Sequence, residues 1–297
     1  MEKYLRNRVL RVIHFRLRRL IPKVISKHMH FEGIFWVRLY GKKLFRMAAH
    51  NYILENEVYF YGLESGHEKK AMRVWIEFCQ LFNPLYISDI GANTGIYGLV
   101  AKSLNQKCEV SFFEPLESAS KIIYENLKLN NYEAKIFKLA LSNYDGKGEF
   151  FLNEGSDFLY SITLNEYADL AILGNHNSGM NYTTMESKVS KFSTLMESEL
   201  VQVPNLVKLD VETHEPEVLE GFGFDLEKVD AYLIEVLNNN AANKLNKLFR
   251  DKNFRIFNLN DENLEVNEYT EFKYTGCYNY FVVKPNLAKE MKTLKNK

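Results

Sequence analysis

Long apolar runs are missing from this sequence. No stretch of about twenty apolar residues occurs, so no transmembrane helix is predicted. The N-terminal region also lacks the uninterrupted apolar run of a secretory signal, because arginine breaks it every few residues. Cysteine is scarce: Cys79, Cys108 and Cys277 are scattered and odd in number. They make neither a metal-ligand spacing nor a disulfide framework, which predicts a reducing cytoplasm, with at most peripheral contact at the inner membrane face. Net charge is absent too, 38 Lys and Arg balancing 38 Asp and Glu. That balance hides an asymmetry. Lys3, Arg6, Arg8, Arg11, Arg16, Arg18, Arg19, Lys23 and Lys27 face Glu2 alone in the first thirty residues, so the remainder is net acidic.

What is present is enough to fold. An apolar fraction of 46% over 297 residues supports a packed core and excludes a mainly disordered chain. The length suits one large domain with appendages.

Residues 1–30 read as a basic amphipathic helix, with Leu5, Val9, Ile13, Leu17, Leu20 and Val24 on one stripe and Pro22 as a kink or stop. Two readings stay open: adsorption to an anionic membrane through residues 1–29, or docking of the stripe on the core. Residues 31–83 form an extension. It comprises β-hairpin material over 34–61, turning at Gly41-Lys42, and a helix from Glu68 to Phe82. Residues 84–285 then alternate strand and helix. Strands are expected at 85–89, 109–114, 134–139, 206–210, 231–236, 254–257 and 278–283. Helices are expected at 96–104, 118–129, 216–219 and 241–251. This rhythm predicts right-handed βαβ units and a largely parallel sheet covered on both faces. A polar insertion at 153–190 interrupts it as a lid or loop, and 286–297 is a basic tail.

The densest chemical signal is Asp89-Ile90-Gly91-Ala92-Asn93-Thr94-Gly95, where a strand becomes a helix. Gly91 and Gly95 let backbone approach a ligand, the helix start offers N–H groups to a carboxylate, and Asp89 can accept from an ammonium or a ribose. The spacing Gly-x-x-x-Gly is neither the dinucleotide fingerprint nor a phosphate-cradling loop, which favours a ligand without pyrophosphate. Glu114, before Pro115, ends the next strand about twenty residues on, where a carboxylate can take both ribose hydroxyls.

These segments together resemble the FkbM-type family of class I S-adenosylmethionine (SAM)-dependent methyltransferases. The matching pieces are Asp89–Gly95, Phe113-Glu114-Pro115, Ala140-Leu141-Ser142, Val207-Lys-Leu-Asp-Val-Glu212, Glu215–Gly221 and Tyr232–Val236, within about residues 64–284. The combination is specific, although no single piece is. The resemblance implies a Rossmann-like, seven-stranded, mostly parallel α/β sheet and methyl transfer to a hydroxyl of a sugar or another small molecule. It implies that Gly91, Ala92, Asn93, Thr94 and Gly95 line the methionine end of SAM. Glu114 would hold the ribose beside Pro115, and Ala140 and Leu141 would flank the adenine. Glu68 matches a pre-core segment that reaches the cofactor. The family pattern Asp-x-Glu-Gly-Ala-Glu reads here Asp210-Val211-Glu212-Thr213-His214-Glu215, so Thr and His replace a small pair after the fourth strand.

A sugar hydroxyl needs a positioned base at neutral pH. Asp210, Glu212 and His214 are the candidates, with Glu235 at the next strand end as a further one. No metal-ligand spacing is defensible. The expected partner is a carbohydrate or small-molecule hydroxyl, most directly a sugar of a bacterial surface glycan or its lipid-linked precursor. Nucleic acid is disfavoured, because neither an Asn/Asp-Pro-Pro-Tyr/Phe motif nor a Pro-Cys pair is present and the core is acidic. A non-catalytic SAM-binding module is the alternative from another class.

Overall fold

The structure, a computed structural model, describes residues 14–26, 28–29, 31–50, 53–66, 68–153, 162–164, 182–259, 266–274 and 279–294. Its first elements are two one-turn helices, α1 (Phe15–Arg18) and α2 (Lys23–Ser26), broken around Pro22. The helix is interrupted around Pro22, where a kink or stop was expected, because proline cannot continue the ladder of the preceding turn. Residues 1–13 of that expectation lie outside the described residues.

Strands β1 (Glu32–Leu39) and β2 (Lys42–His50) form the expected hairpin. Tyr40 (φ 48°) and Gly41 (φ 79°) make its two-residue turn, whose twist matches that of the strands. The apolar run to Tyr61, expected as strand material, is instead helix α3 (Ile53–Tyr61). Val58, Tyr59, Phe60 and Tyr61 are all buried. A short run buried on every side carries no period that tells strand from helix. Helix α4 (Lys69–Phe82) follows.

The core sheet takes β3 (Tyr86–Ile90), β4 (Glu109–Phe113), β5 (Lys135–Phe137), β10 (Leu206–Leu209), β11 (Ala231–Glu235), β12 (Arg255–Leu259), β13 (Val266–Tyr269) and β14 (Asn279–Val283). Among the described residues its order is β13-β12-β14-β11-β10-β3-β4-β5. From β5 to β11 the pairing is parallel, while β14, β12 and β13 run antiparallel to their neighbours. All seven expected strands are present, and β13 adds an eighth at the edge. Without β13, it is the seven-stranded, mostly parallel sheet that the resemblance implies. Helices α5 (Ile96–Leu104) and α6 (Glu117–Asn130) follow β3 and β4, and α8 (Glu215–Glu220) and α9 (Asn239–Phe249) follow β10 and β11. Separate apolar clusters cover the two sheet faces: Trp75, Leu99, Ile123 and Phe281 on one, Phe222, Tyr232, Leu245 and Val282 on the other. Burial on both faces explains why β10, β11 and β14 read as nearly continuous apolar runs.

The stretch expected as an insertion is partly a second sheet. Ala140–Leu141 (β6), Gly146–Asn153 (β7), Ile162–Leu164 (β8) and Tyr182–Ser190 (β9) pair in the order β6-β9-β7-β8. Residues 184–188 of β9 alternate between exposed and half-buried. A strand with one solvated face reads as polar, which concealed it. The intervening residues 154–161 and 165–181 lie outside the described residues. One-turn α7 (Phe192–Glu197) leads back to β10. Of the expected tail, 286–297, residues 286–294 pack on the core through buried Met291 and Leu294. The Thr293 N–H donates to Glu77.

Candidate active site

The chain leaves β3 for β4 and β5 on one side, then returns across the sheet to β10 on the other. The carboxyl ends of β3 and β10 therefore flank a switch point, where open α/β sheets place ligands. A cavity of about 340 Å³ lies there. Glu68, Asp89, Gly91, Ala92, Asn93, Glu114, Pro115, Ala140, Leu141, Asp210, Glu212 and His214 all line it, gathering residues from 68 to 214 on one wall system. Two expected lining residues do not reach it. Thr94 is buried beneath the loop, and Gly95 packs towards Ile123 and Phe112.

The loop after β3 is built for close approach. Gly91 (φ 72°), Asn93 (φ 49°) and Gly95 (φ 79°) are left-handed, and the Gly91 and Ala92 N–H groups donate to Phe113 O. Asp89 is buried and accepts from the Gly98 N–H at 2.8 Å, which fixes the start of α5. Glu114 accepts from the N–H groups of Asn93 (2.8 Å) and Leu116 (2.9 Å). Burial pushes both carboxyls up to about 7, against these hydrogen bonds.

The opposite wall carries an acidic cluster around one cation. Lys208 is fully buried in β10, and its Nζ stands 3.2 Å from Asp210 Oδ2 and over the Tyr97 ring. Burial opposes its charge, but Asp210, Glu68 and Glu235 outweigh burial and raise it. Glu235, pushed well up by burial and then by Asp210, hydrogen-bonds to Asp210. Glu68 accepts from Tyr97 Oη at 2.6 Å and from Asn279 Nδ2 at 2.8 Å. One oxygen each from Glu68, Asp210 and Glu235 lie within 4.8 Å of one another, a spacing that a cation can bridge. The Lys208 ammonium is the cation the chain itself supplies.

His214 has partners of its own. Its Nε2 lies 2.9 Å from Ser142 Oγ, and its Nδ1 lies 3.5 Å from Glu217 Oε2, which pairs with Lys244. Burial lowers its pKa to about 4, so it is neutral at pH 7. This geometry gives it the character of a clamp between the loop after β10 and the strand Ala140–Leu141. Glu215, fully buried, accepts from the N–H groups of Val211 (3.0 Å) and Thr213 (3.2 Å) and so shapes that loop. Glu212 (φ 56°) and Thr213 (φ 82°) are both left-handed there.

Sequence reasoning missed Tyr97, Lys208 and Asn279 as parts of the site, and the clamping role of Ser142. Lys208 carried a signal, a single charge inside the apolar run Leu206-Val207-Lys208-Leu209. Charges in doubly covered strands are paired or functional. Tyr97 and Asn279 carried none, because only packing brings α5 and β14 to Glu68.

Comparison with known proteins adds the chemistry. The family described as the methyltransferase FkbM domain matches residues 89–256. The hexuronic acid methyltransferase AglP of Haloferax volcanii is 27% identical over 169 residues, covering 57% of this chain and 62% of AglP. The match thus spans less than two thirds of that relative. Solved structures that are similar include a SAM-dependent methyltransferase from Agrobacterium tumefaciens, with TM-score 0.39 and 11% identity over 86% of this chain and 71% of that one. The plantazolicin methyltransferase BpumL in complex with SAH has TM-score 0.38 and 7% identity over 73% and 82%.

Proposed function

This chain belongs to the FkbM methyltransferase family and is a SAM-dependent methyltransferase, and on that premise we propose that its acceptor is a hydroxyl group of a sugar, in the first place a uronic acid or a glycan containing one. The observation that carries the reading is the likeness to a hexuronic acid methyltransferase.

The site fits SAM. The glycine-bearing loop admits close backbone approach at Gly91, the buried Glu114 carboxylate suits two ribose hydroxyls, and Ala140 and Leu141 give an apolar wall for a base. Asp89, Ala92 and Asn93 would face the methionine end of bound SAM, with Glu68 and Pro115 at the margins of the same cavity. When bound, SAM supplies an electrophilic methyl on a sulfonium centre.

The protein must then align the hydroxyl and remove its proton. Asp210 is the group placed to do so. It lines the cavity with its side chain 30% exposed, while Lys208 and Glu235 hold it in place. The Asp210 carboxylate would take the hydroxyl proton, while bound SAM would supply the methyl to the oxygen by breaking its sulfur–methyl bond and leaving as S-adenosylhomocysteine. Glu212 lies beside it on the cavity wall and contacts the acceptor, and His214 positions the loop. A uronic acid also offers a carboxylate, which needs no base. An oriented proton acceptor favours the ether over the ester.

The test is incubation of the full chain with SAM and two glycans, one rich in uronic acid and one neutral. The expected result is a mass gain of one methylene on the uronic glycan, stable to mild alkali. An alkali-labile product would replace the hydroxyl by the carboxylate as acceptor site. No product on either glycan, with SAM bound, would refute the sugar reading.

A further inference from the structure

We infer that the face formed by Leu17, Leu20, Val24 and Ile25 is a docking surface for a lipid bilayer bearing anionic headgroups. This inference is independent of which acceptor the enzyme uses.

The segment is anchored from its inner side. Phe15 is buried, and the Arg18 guanidinium lies 3.7 Å from the centre of the Tyr59 ring. Ser26 Oγ and Tyr61 Oη are 2.6 Å apart, and Tyr61 Oη donates to Ile21 O at 2.9 Å. Arg19 pairs with Glu64 at 3.0 Å. These contacts hold α1 and α2 against α3 and decide which side chains face out.

What faces out is apolar. Leu17 is 58% exposed, Leu20 75%, Val24 75% and Ile25 52%. Arg16 and Lys23 are exposed among them. Single exposed apolar residues are ordinary, but four within nine residues make a patch. A protein partner would account for such a patch. It would not account for the charge, because residues 1–29 hold nine Lys and Arg against Glu2. An apolar face with exposed Arg16 and Lys23 among it, in a segment whose sequence is strongly basic, is the combination that an anionic interface accepts. No helix among the described residues is long and apolar enough to cross a membrane, so the contact lies on the surface. The placement also relates to the site: α1 and α2 pack on α3, whose Leu54 lines the cavity.

The experiment is co-sedimentation of the full chain with vesicles of phosphatidylcholine alone and with added phosphatidylglycerol. Both Leu20→Asp and Val24→Asp are combined in a double variant, at side chains three-quarters exposed, with circular dichroism and melting confirming its fold. The native chain is expected to partition onto anionic vesicles and not onto neutral ones. The double variant is expected to lose about tenfold or more of that partitioning, and raised salt to weaken the native binding. Equal partitioning of variant and native chain would overturn the inference, as would native chain that ignores anionic vesicles. If sedimentation velocity shows a native oligomer that the variant dissociates, without vesicle binding, the face joins copies of this chain and the bilayer is excluded.

Discussion

A Cβ placed on Gly91 would stand 1.8 Å from the carbonyl oxygen of Asp210. The cofactor loop and the strand end bearing the proposed base therefore pack backbone on backbone. Gly91→Ala must push these elements apart, at a position whose φ of 72° already disfavours any side chain. SAM affinity is expected to fall at least about tenfold, with lower thermal stability. Calorimetric titration with SAM and S-adenosylhomocysteine checks this; unchanged affinity would dissociate Gly91 from the cofactor site.

Glu114→Ala is expected to weaken SAM binding by about 2–3 kcal/mol, through loss of a charged, bidentate acceptor in a desolvated place. The N–H groups of Asn93 and Leu116 lose their acceptor too. Glu114→Gln keeps one acceptor oxygen and should lose less. Equal affinities in all three proteins would remove the ribose assignment.

Asp210→Asn is expected to lower kcat by about 10²–10⁴ with SAM affinity within a few fold, the signature of a lost proton acceptor. A matching loss of SAM binding would instead make Asp210 a structural residue. Lys208→Met should cost about 3–5 kcal/mol of stability, because it leaves Glu68, Asp210 and Glu235 together without their cation. Chemical denaturation measures that; a stable variant would show that the cluster does not depend on Lys208.

Thr213 holds a β-branched side chain at φ 82°, and its buried Oγ1 has no hydrogen-bond partner. Relief of such strain is worth on the order of 1–3 kcal/mol. The added backbone freedom of glycine costs roughly 0.5–1 kcal/mol. Relief wins, so Thr213→Gly is expected to raise Tm by about 2–4 °C. A lower Tm would mean that the threonine methyl contributes packing that outweighs the strain.

The buried acids set a pH dependence. Burial raises Asp89 and Glu114 to about 7 and Glu215 to about 8. Their stabilisation is complete below the unfolded carboxyl range and is lost as pH rises through 7 and 8. His214 has the opposite sign: lowered to about 4, it contributes above its unfolded value of 6.5 and is lost as pH falls through 4. Three groups outweigh one, so the Tm of the ligand-free protein should rise from pH 8 to pH 5.5. Thermal unfolding across that range decides; a falling Tm would show these carboxyls ionised in the folded chain.

Much of this protein was legible in its sequence. Strand–helix alternation gave all seven expected core strands, because doubly buried strands must be apolar and short. The tight turn after β3 was legible because its left-handed positions Gly91 and Gly95 need glycine, and Glu114 at the next strand end lines the same cavity. Helix α3 was not, since an apolar run buried all round has no period. Strand β9 was not, since one solvated face reads as loop. The sequence by itself determined the sheet, the glycine turn after β3 and the strand ends that line the cavity. Tertiary structure alone decided that Lys208, Glu68, Tyr97 and Asn279 share one cluster with Asp210, and that His214 turns to Ser142 and Glu217. Those contacts join residues up to 211 positions apart. Their distances follow from how helices settle on the sheet, which local spacing does not encode.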